Sequence, residues 1–188
     1  MVSVDLNADL GESFGVWELG DDEAMLDVVT SANIACGFHA GDPLVMTETV
    51  RLAGEAGVSL GAHPAFPDLQ GFGRREMQLS PRELSTVVTY QVGALMGIAQ
   101  SQGQRVTHVK PHGALSNVAC VDDDVAKTIV NAVRKLDPSL IVLAPAHSAL
   151  ARAAEAAKAV AAQSAADKPA EDKTLHRPAK PEGAKGKD

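Results

Sequence analysis

Val2-Ser3-Val4-Asp5-Leu6-Asn7-Ala8-Asp9-Leu10 alternates strictly. Val2, Val4, Leu6, Ala8 and Leu10 fall on one side of an extended chain and Ser3, Asp5, Asn7 and Asp9 on the other, the two-residue period of a β-strand. A central strand of an open parallel sheet is covered by helices on both faces and reads apolar throughout. This segment is polar on one face. In a closed barrel the outward side chains meet the helices, while the inward ones near the carboxyl ends line a lumen where catalytic groups collect. The polar side of residues 2–10 therefore favours a (β/α) barrel over a doubly wound sheet.

Downstream, short apolar runs alternate with helical patterns. Further strands are expected at residues 31–36, 58–61, 106–109 and 140–144. Asp42-Pro43 reads as an N-cap followed by a first-turn proline, opening a helix that closes at Gly57. Ser80-Pro81-Arg82-Glu83 is a capping box opening one that closes at Gly103. Residues 21–29, 122–136 and 146–162 complete the helices. Five βα units in succession call for a parallel sheet with right-handed crossovers. No internal repeat is present. From Ser164 onward Lys, Ala, Pro, Glu and Asp dominate, and Leu175 is the only large aliphatic side chain. Nothing there offsets an ordering cost of ~1–2 kcal/mol per residue. The expected division is a barrel domain over residues 1–162 and a disordered polar tail over 163–188.

Of the chain's net charge of −7, residues upstream of that tail carry −8 and the tail +1, and aromatic residues make up 3% of the 188-residue chain. An acidic surface repels phosphate backbones and few rings are available for base stacking, which argues against nucleic acid as a partner. No run approaches the ~18 apolar residues of a membrane span, and the first residues lack the basic start and apolar stretch of a signal peptide. A cytoplasmic location is expected. Cys36 and Cys120 make neither a disulfide framework nor a zinc spacing and read as small apolar residues.

The strand ends carry the chemistry. Strand one ends in Asp5-Leu6-Asn7-Ala8-Asp9-Leu10-Gly11-Glu12, and strand two runs into Asn33 and then Gly37-Phe38-His39-Ala40-Gly41-Asp42. Strand three ends in Gly61-Ala62-His63-Pro64, with Gly71-Phe72-Gly73-Arg74-Arg75 in its loop, and strand four ends in His108-Val109-Lys110-Pro111-His112-Gly113. Four strands thus deliver carboxylates, imidazoles and an amine to one rim. If residues 106–112 stay extended, His108, Lys110 and His112 share a face. The catalytic candidates are Asp9, His39, His63, Lys110 and His112, and the substrate-binding candidates are Asn7, Glu12, Asn33, Asp42 and Arg74. Each has an ordinary alternative. Asp42 caps a helix, His39 can be a satisfied structural histidine, Arg74-Arg75 an exposed charge pair, and Asn7, Glu12 and Asn33 loop hydrogen-bonding groups. Lys110 is more specific, because a lysine between Val109 and Pro111 at a strand end needs an anionic partner. His108 lies a layer deeper and reads as a core histidine, His147 belongs to a helix start, and His176 lies in the tail.

No GxSxG, HExxH, Walker or GxGxxG motif is present. Aspartate and histidines converging from several strands suit a divalent metal holding a hydrolytic water, with Asp9, His39 and His63 as candidate ligands. They equally suit a metal-free acid/base pair with lysine stabilising negative charge.

Taken together, DLNADLGES (5–13), SANIACGFHAGDP (31–43), GAHPAFPDLQGFGRR (61–75) and HVKPHGALSN (108–117) resemble the LamB/YcsF family, over roughly residues 1–157. The resemblance implies a barrel of the glycoside hydrolase/deacetylase type. It also implies ATP-dependent opening of the lactam of 5-oxo-L-proline to L-glutamate, with ATP as co-substrate, in company with 5-oxoprolinase subunits B and C. The family's polar strand-end positions fall on Asn7, Asp9, Glu12, Asn33, His39, Asp42, His63, Lys110 and His112. Ser116 stands where the family usually has tyrosine. After Leu143-Ala144-Pro145-Ala146 the chain passes into an alanine-rich helix where the family continues to further strands, so about five βα units are expected where a closed barrel takes ~200–250 residues. An open barrel leaves two strand edges for another chain, a second copy included. Two further functions compete with the lactam hydrolase: a metal-dependent deacetylase or amidohydrolase, and a non-catalytic scaffold protein of the same assembly.

Overall fold

The computed structural model describes residues 4–166. Its elements run β1 (Asn7–Leu10), α1 (Asp22–Leu26), β2 (Ser31–Ala35), α2 (Pro43–Ala56), β3 (Ser59–His63), α3 (Pro81–Ser101), β4 (Val106–Val109), α4 (Gly113–Val121), α5 (Asp123–Leu136), β5 (Ile141–Val142) and α6 (Ala149–Ala166). The five strands are parallel and lie in the order β1-β2-β3-β4-β5. A doubly wound sheet reverses direction partway across. Here every crossover advances the same way, which is the winding of a barrel, and the sheet forms an arc of one.

The helices begin and end where local chemistry dictates. Asp42 accepts from the amides of Leu44 and Val45, Pro43 occupies the first turn, and Gly57 closes α2 in the left-handed conformation. Both bonds of the Ser80–Glu83 capping box are made. Asp122 caps α5, which places Asp123 and Asp124 in its first turn and Arg134 and Lys135 in its last, complementing the helix dipole. Ile34 and Leu60 of the sheet, Val50 of α2, Val88, Val92 and Leu95 of α3, and Ile129 and Val133 of α5 are buried in one core. Each such side chain contributes roughly 1.5–3 kcal/mol.

Several expected boundaries move. The alternating segment is strand only from Asn7, and Val4 and Leu6 are 75% and 50% exposed. β2 begins at Ser31, so upstream of Asn7 the chain is met by the Thr30 hydroxyl and main chain rather than by a partner strand. α4 is additional to the helices expected from the sequence, β5 is two residues long, and α6 starts at Ala149, after a left-handed His147. The amide of Ala151 donates to the Ser148 hydroxyl. α6 reaches Ala166, so the helix extends past the boundary expected at residue 162. The rest of the expected tail, His176 included, lies outside the described residues. No helix among the described residues is long and apolar enough to cross a membrane.

The strand register sets up the site. Asp9 pairs with Asn33, Asn33 with Gly61 and Gly61 with His108, so four strands place these residues side by side on the polar face. Gly61 leaves room for its neighbour: a Cβ there would stand 2.0 Å from His108 Nε2. That nitrogen lies 3.0 Å from Asn33 Oδ1, and both residues are buried. His108 is therefore a floor beneath the rim, in keeping with its depth in strand four. Gly61→Ala is expected to destabilise the fold by about 1–3 kcal/mol in chemical denaturation, and His108→Ala in the same chain to recover part of the loss. A neutral Gly61→Ala would mean that the imidazole does not pack there.

Candidate functional site

Asp9, at the end of β1, is the most connected side chain on the polar face. Its Oδ1 accepts from Asn33 Nδ2 at 2.7 Å and from Lys110 Nζ at 2.7 Å. Its Oδ2 lies 3.0 Å from Lys110 Nζ and 3.3 Å from His63 Nε2. Burial opposes ionisation of the carboxyl, but the His63 ring whenever it is protonated at Nε2, together with the hydrogen bonds and charge of Lys110, outweighs it and holds Asp9 well below the usual carboxylate range. Asn7 and Asn33 bond to each other, and Asn33 is the link between them and Asp9. Lys110 thus has the anionic partner its flanking residues call for. The chain from Val106 to His112 stays extended, since Lys110 and His112 donate to the carbonyls of Ala62 and Pro64.

Beside this pair stand three buried imidazoles. His63 Nδ1 is 2.6 Å from the Lys110 carbonyl and His112 Nε2 is 2.8 Å from the Phe72 carbonyl. A carbonyl only accepts, so each of these nitrogens carries a proton. In the neutral rings the lone pairs then lie on His63 Nε2 and His112 Nδ1, which face each other at 3.0 Å. His39 stacks on His112 with centroids 3.9 Å apart, and its Nε2 lies 3.4 Å from Glu12 Oε1. His39 Nδ1 is buried and has no hydrogen-bond partner among the described residues. Burial, reinforced by the neighbouring imidazoles, pushes His112 down to about 4, and burial also lowers His39.

The loop after β3 builds the wall of this cluster. Phe72 takes a left-handed backbone, φ 54°, which aims its carbonyl at His112. Such a conformation costs about 1–3 kcal/mol in a non-glycine residue and persists only where its surroundings enforce it. Asp68 does so, accepting from the Gly71 amide and from the amide and guanidinium of Arg75. Gly73 permits close approach, since a Cβ there would stand 2.9 Å from both His112 and His39. Gln91 of α3, buried, bonds both main-chain groups of Ala65. Phe72, Asp68 and Gln91 are positioning residues absent from the sequence-based candidates. The glycines flanking Phe72 are the available signal for the first, and a glutamine on an otherwise apolar helix face for the last.

The remaining candidates divide. Glu12 joins the histidines. Asp42 accepts from three backbone amides, those of Leu44, Val45 and Gly15, so its carboxylate holds α2 to the loop after β1. Arg75 is committed to Asp68, while Arg74 lies exposed over the Phe72 ring, 5.3 Å from its centroid. A cavity of about 180 Å³ adjoins the cluster, walled by Phe14, Trp17, Leu69 and Phe72 and reaching Glu12 and His39. Glu12, His39, His63 and His112 each bring one ligand atom within 4.8 Å of the others and could hold a metal ion. Asp9, paired with Lys110, is not in that group. Cys36 is buried, its thiol pushed up to about 12, whereas Cys120 is half-buried.

The LamB/YcsF family model matches residues 4–187. The A subunit of 5-oxoprolinase from Azoarcus sp. (strain BH72) is 67% identical over 150 residues, 80% of this chain and 59% of that protein. Its counterpart in Bacillus subtilis (strain 168) is 56% identical over 155 residues, 82% of this chain and 60% of that protein. The lactam utilization protein of Thermus thermophilus, whose crystal structure is known, superposes with a TM-score of 0.82 at 48% identity, covering 84% of this chain and 64% of that one. The chain spans about three fifths of the length of the curated relatives it matches.

The depressed His112 value sets a pH dependence. The folded metal-free protein keeps this ring neutral down to about pH 4, while the unfolded chain takes up the proton near 6.5. The unfolded state therefore binds more protons between those values, and stability falls as the pH drops through that window. The thermal midpoint is expected to drop by several degrees between pH 7 and pH 4.5, and by less in His112→Asn. Parallel profiles for the two proteins would contradict the assignment.

Proposed function

Because this chain belongs to the LamB/YcsF family, we propose that its rim opens the lactam of 5-oxo-L-proline to L-glutamate in an ATP-dependent 5-oxoprolinase, in which it serves as the A component beside subunits B and C. The observation that carries the reading is an ammonium–carboxylate pair set next to a patch offering only acceptor atoms. Lys110 and Asp9 form the pair, and Glu12, His63 and His112 form the patch.

A five-membered lactam is an unstrained amide, so its hydrolysis needs activation. Phosphorylation of the amide oxygen by ATP, with release of ADP, activates the ring carbon. Water adds there, the C–N bond breaks with a proton passing to the ring nitrogen, and the acyl phosphate so formed is hydrolysed by a second water to the side-chain carboxylate and phosphate. Lys110 supplies positive charge to the developing oxyanion or to the transferred phosphate. Asp9 holds the ammonium in place; kept so firmly ionised, it is a weak proton acceptor and is assigned positioning rather than base catalysis. The attacking water is assigned to the space bounded by Glu12, His63 and His112, whose free lone pairs draw its protons. The methylene side of the ring suits the apolar cavity, and Arg74, lying over the ring of the cavity residue Phe72, is assigned the substrate carboxylate. Asn7 and Asn33 support Asp9, and Asp42 supports the loop. The sequence holds no phosphate loop, so the nucleotide is assigned mainly to the partner subunits.

The histidine cluster also favours a second reading, a metal-dependent deacetylase or amidohydrolase acting without ATP. The test is turnover of 5-oxo-L-proline by this chain assembled with subunits B and C. Lys110→Ala is expected to lower kcat by about 100-fold, and Arg74→Ala to raise KM by about tenfold with kcat little changed. Full activity in Lys110→Ala, or cleavage of open-chain N-acetyl amides without ATP, would overturn the lactam reading.

A further inference from the structure

We propose that Glu12, His63 and His112 form a three-ligand site for a divalent transition-metal ion, and that His39 is the positioning residue that sets the Glu12 carboxylate.

The first ground is an electrostatic conflict. Both ring N–H groups of the His63–His112 pair are committed to backbone carbonyls, so the nitrogens that face each other at 3.0 Å are both lone-pair atoms in the neutral rings. Two lone pairs at that distance repel, and the arrangement calls for a positive species against them. The Glu12 Oε1 atom, 3.8 Å from His112 Nδ1, adds a third acceptor and a negative charge. Asp9 Oδ2 also approaches His63 Nε2, at 3.3 Å, but both of its oxygens are drawn to Lys110. Ligands ~2.0–2.1 Å from a tetrahedral ion stand ~3.4 Å apart; the His63–His112 and Glu12–His112 separations each lie within about half an ångström of that, and all three atoms lie within 4.8 Å of one another.

Ring orientation then selects among the four residues. An imidazole donates in its own plane, so two imidazoles on one ion need planes that intersect at it. His63 and His112 are nearly perpendicular, at 82°, and meet this condition. His39 and His112 are stacked, 8° from parallel, and share no such point. His39 therefore serves through Glu12, its Nε2–H directed at Oε1. The carbonyls of Lys110 and Phe72 on the far nitrogens are the outer partners that ligating histidines ordinarily have, fixing tautomer and ring angle.

Two imidazoles and one carboxylate suit zinc or a neighbouring transition metal better than magnesium or calcium. Three protein ligands leave a position for water, and such an ion makes its bound water ionise near neutral pH. This use of the ion rests on the reading of the rim as a hydrolytic site, whereas the binding itself does not.

The test strips the full chain with chelator and titrates it with Co²⁺ and then Zn²⁺, followed by calorimetry and the visible spectrum. One equivalent of Co²⁺ is expected to bind with the visible bands of a four- or five-coordinate ion, and Zn²⁺ to displace it. His63→Ala and Glu12→Gln are expected to abolish saturable binding. His39→Phe, which keeps the stack on His112 but loses the contact to Glu12, is expected to keep the stoichiometry and weaken binding about 10–100-fold. Circular dichroism of each metal-free variant checks its fold, and a rise in the wild-type thermal midpoint with Zn²⁺ needs no variant at all. Absence of saturable binding by the wild type, or unchanged binding by a folded His63→Ala, overturns the proposal. Lactam hydrolysis by a metal-free assembly with subunits B and C overturns the use of the ion assigned above, while leaving the proposed function standing. Tight metal binding without any lactam turnover supports the site and removes the proposed function instead.

Discussion

One carboxylate organises the polar face of this sheet. Asp9, on β1, is reached by Asn33 from β2, His63 from β3 and Lys110 from the chain beyond β4. Three neighbouring strands therefore converge on one charge, and each contact fixes something the site uses. Asn33 ties Asp9 to the layer of Asn7 and His108 beneath it. Lys110 is held over the rim, with its side chain one-third exposed. A carboxylate partly withdrawn from water persists in charged form only with such partners, so removal of Asp9 would leave an ammonium and an amide without their acceptor.

The second constraint is set by the main chain rather than by side chains. Two backbone carbonyls, those of Lys110 and Phe72, decide which nitrogens of His63 and His112 remain available. The Phe72 carbonyl reaches its place through a left-handed residue, with Gly73 making the space, Asp68 and Arg75 clamping the loop and Gln91 fastening its start at Ala65. Conformational strain in that loop is thus turned into the orientation of a lone pair.

Much of this is legible in the sequence because it follows from local rules. The alternation over residues 2–10 marks a strand with one polar face, Asp42-Pro43 and Ser80–Glu83 mark helix starts, and four polar strand ends point to one rim. α4 escapes such a reading because His112 occupies its N-cap position and makes no capping bond there, its ring being engaged in the cluster. A rule that looks for Ser, Thr, Asp or Asn cannot see a helix whose first position is taken by the site. The division of labour between Arg74 and Arg75, and the pairing of Asp9 with Lys110 rather than with a metal-ligand set, depend on contacts between residues far apart in the chain. The carbonyl of Phe72 has no side-chain signature at all.

The tautomeric states of His63 and His112 are the decisive observable, because the opposed lone pairs underlie both the assignment of the attacking water and the metal site. Long-range ¹H–¹⁵N correlation of the imidazoles in metal-free protein at mildly alkaline pH reads them out. His63 is expected to be protonated at Nδ1 alone and His112 at Nε2 alone. An imidazolium at either residue, or a proton held on the nitrogens that face each other, would contradict both assignments.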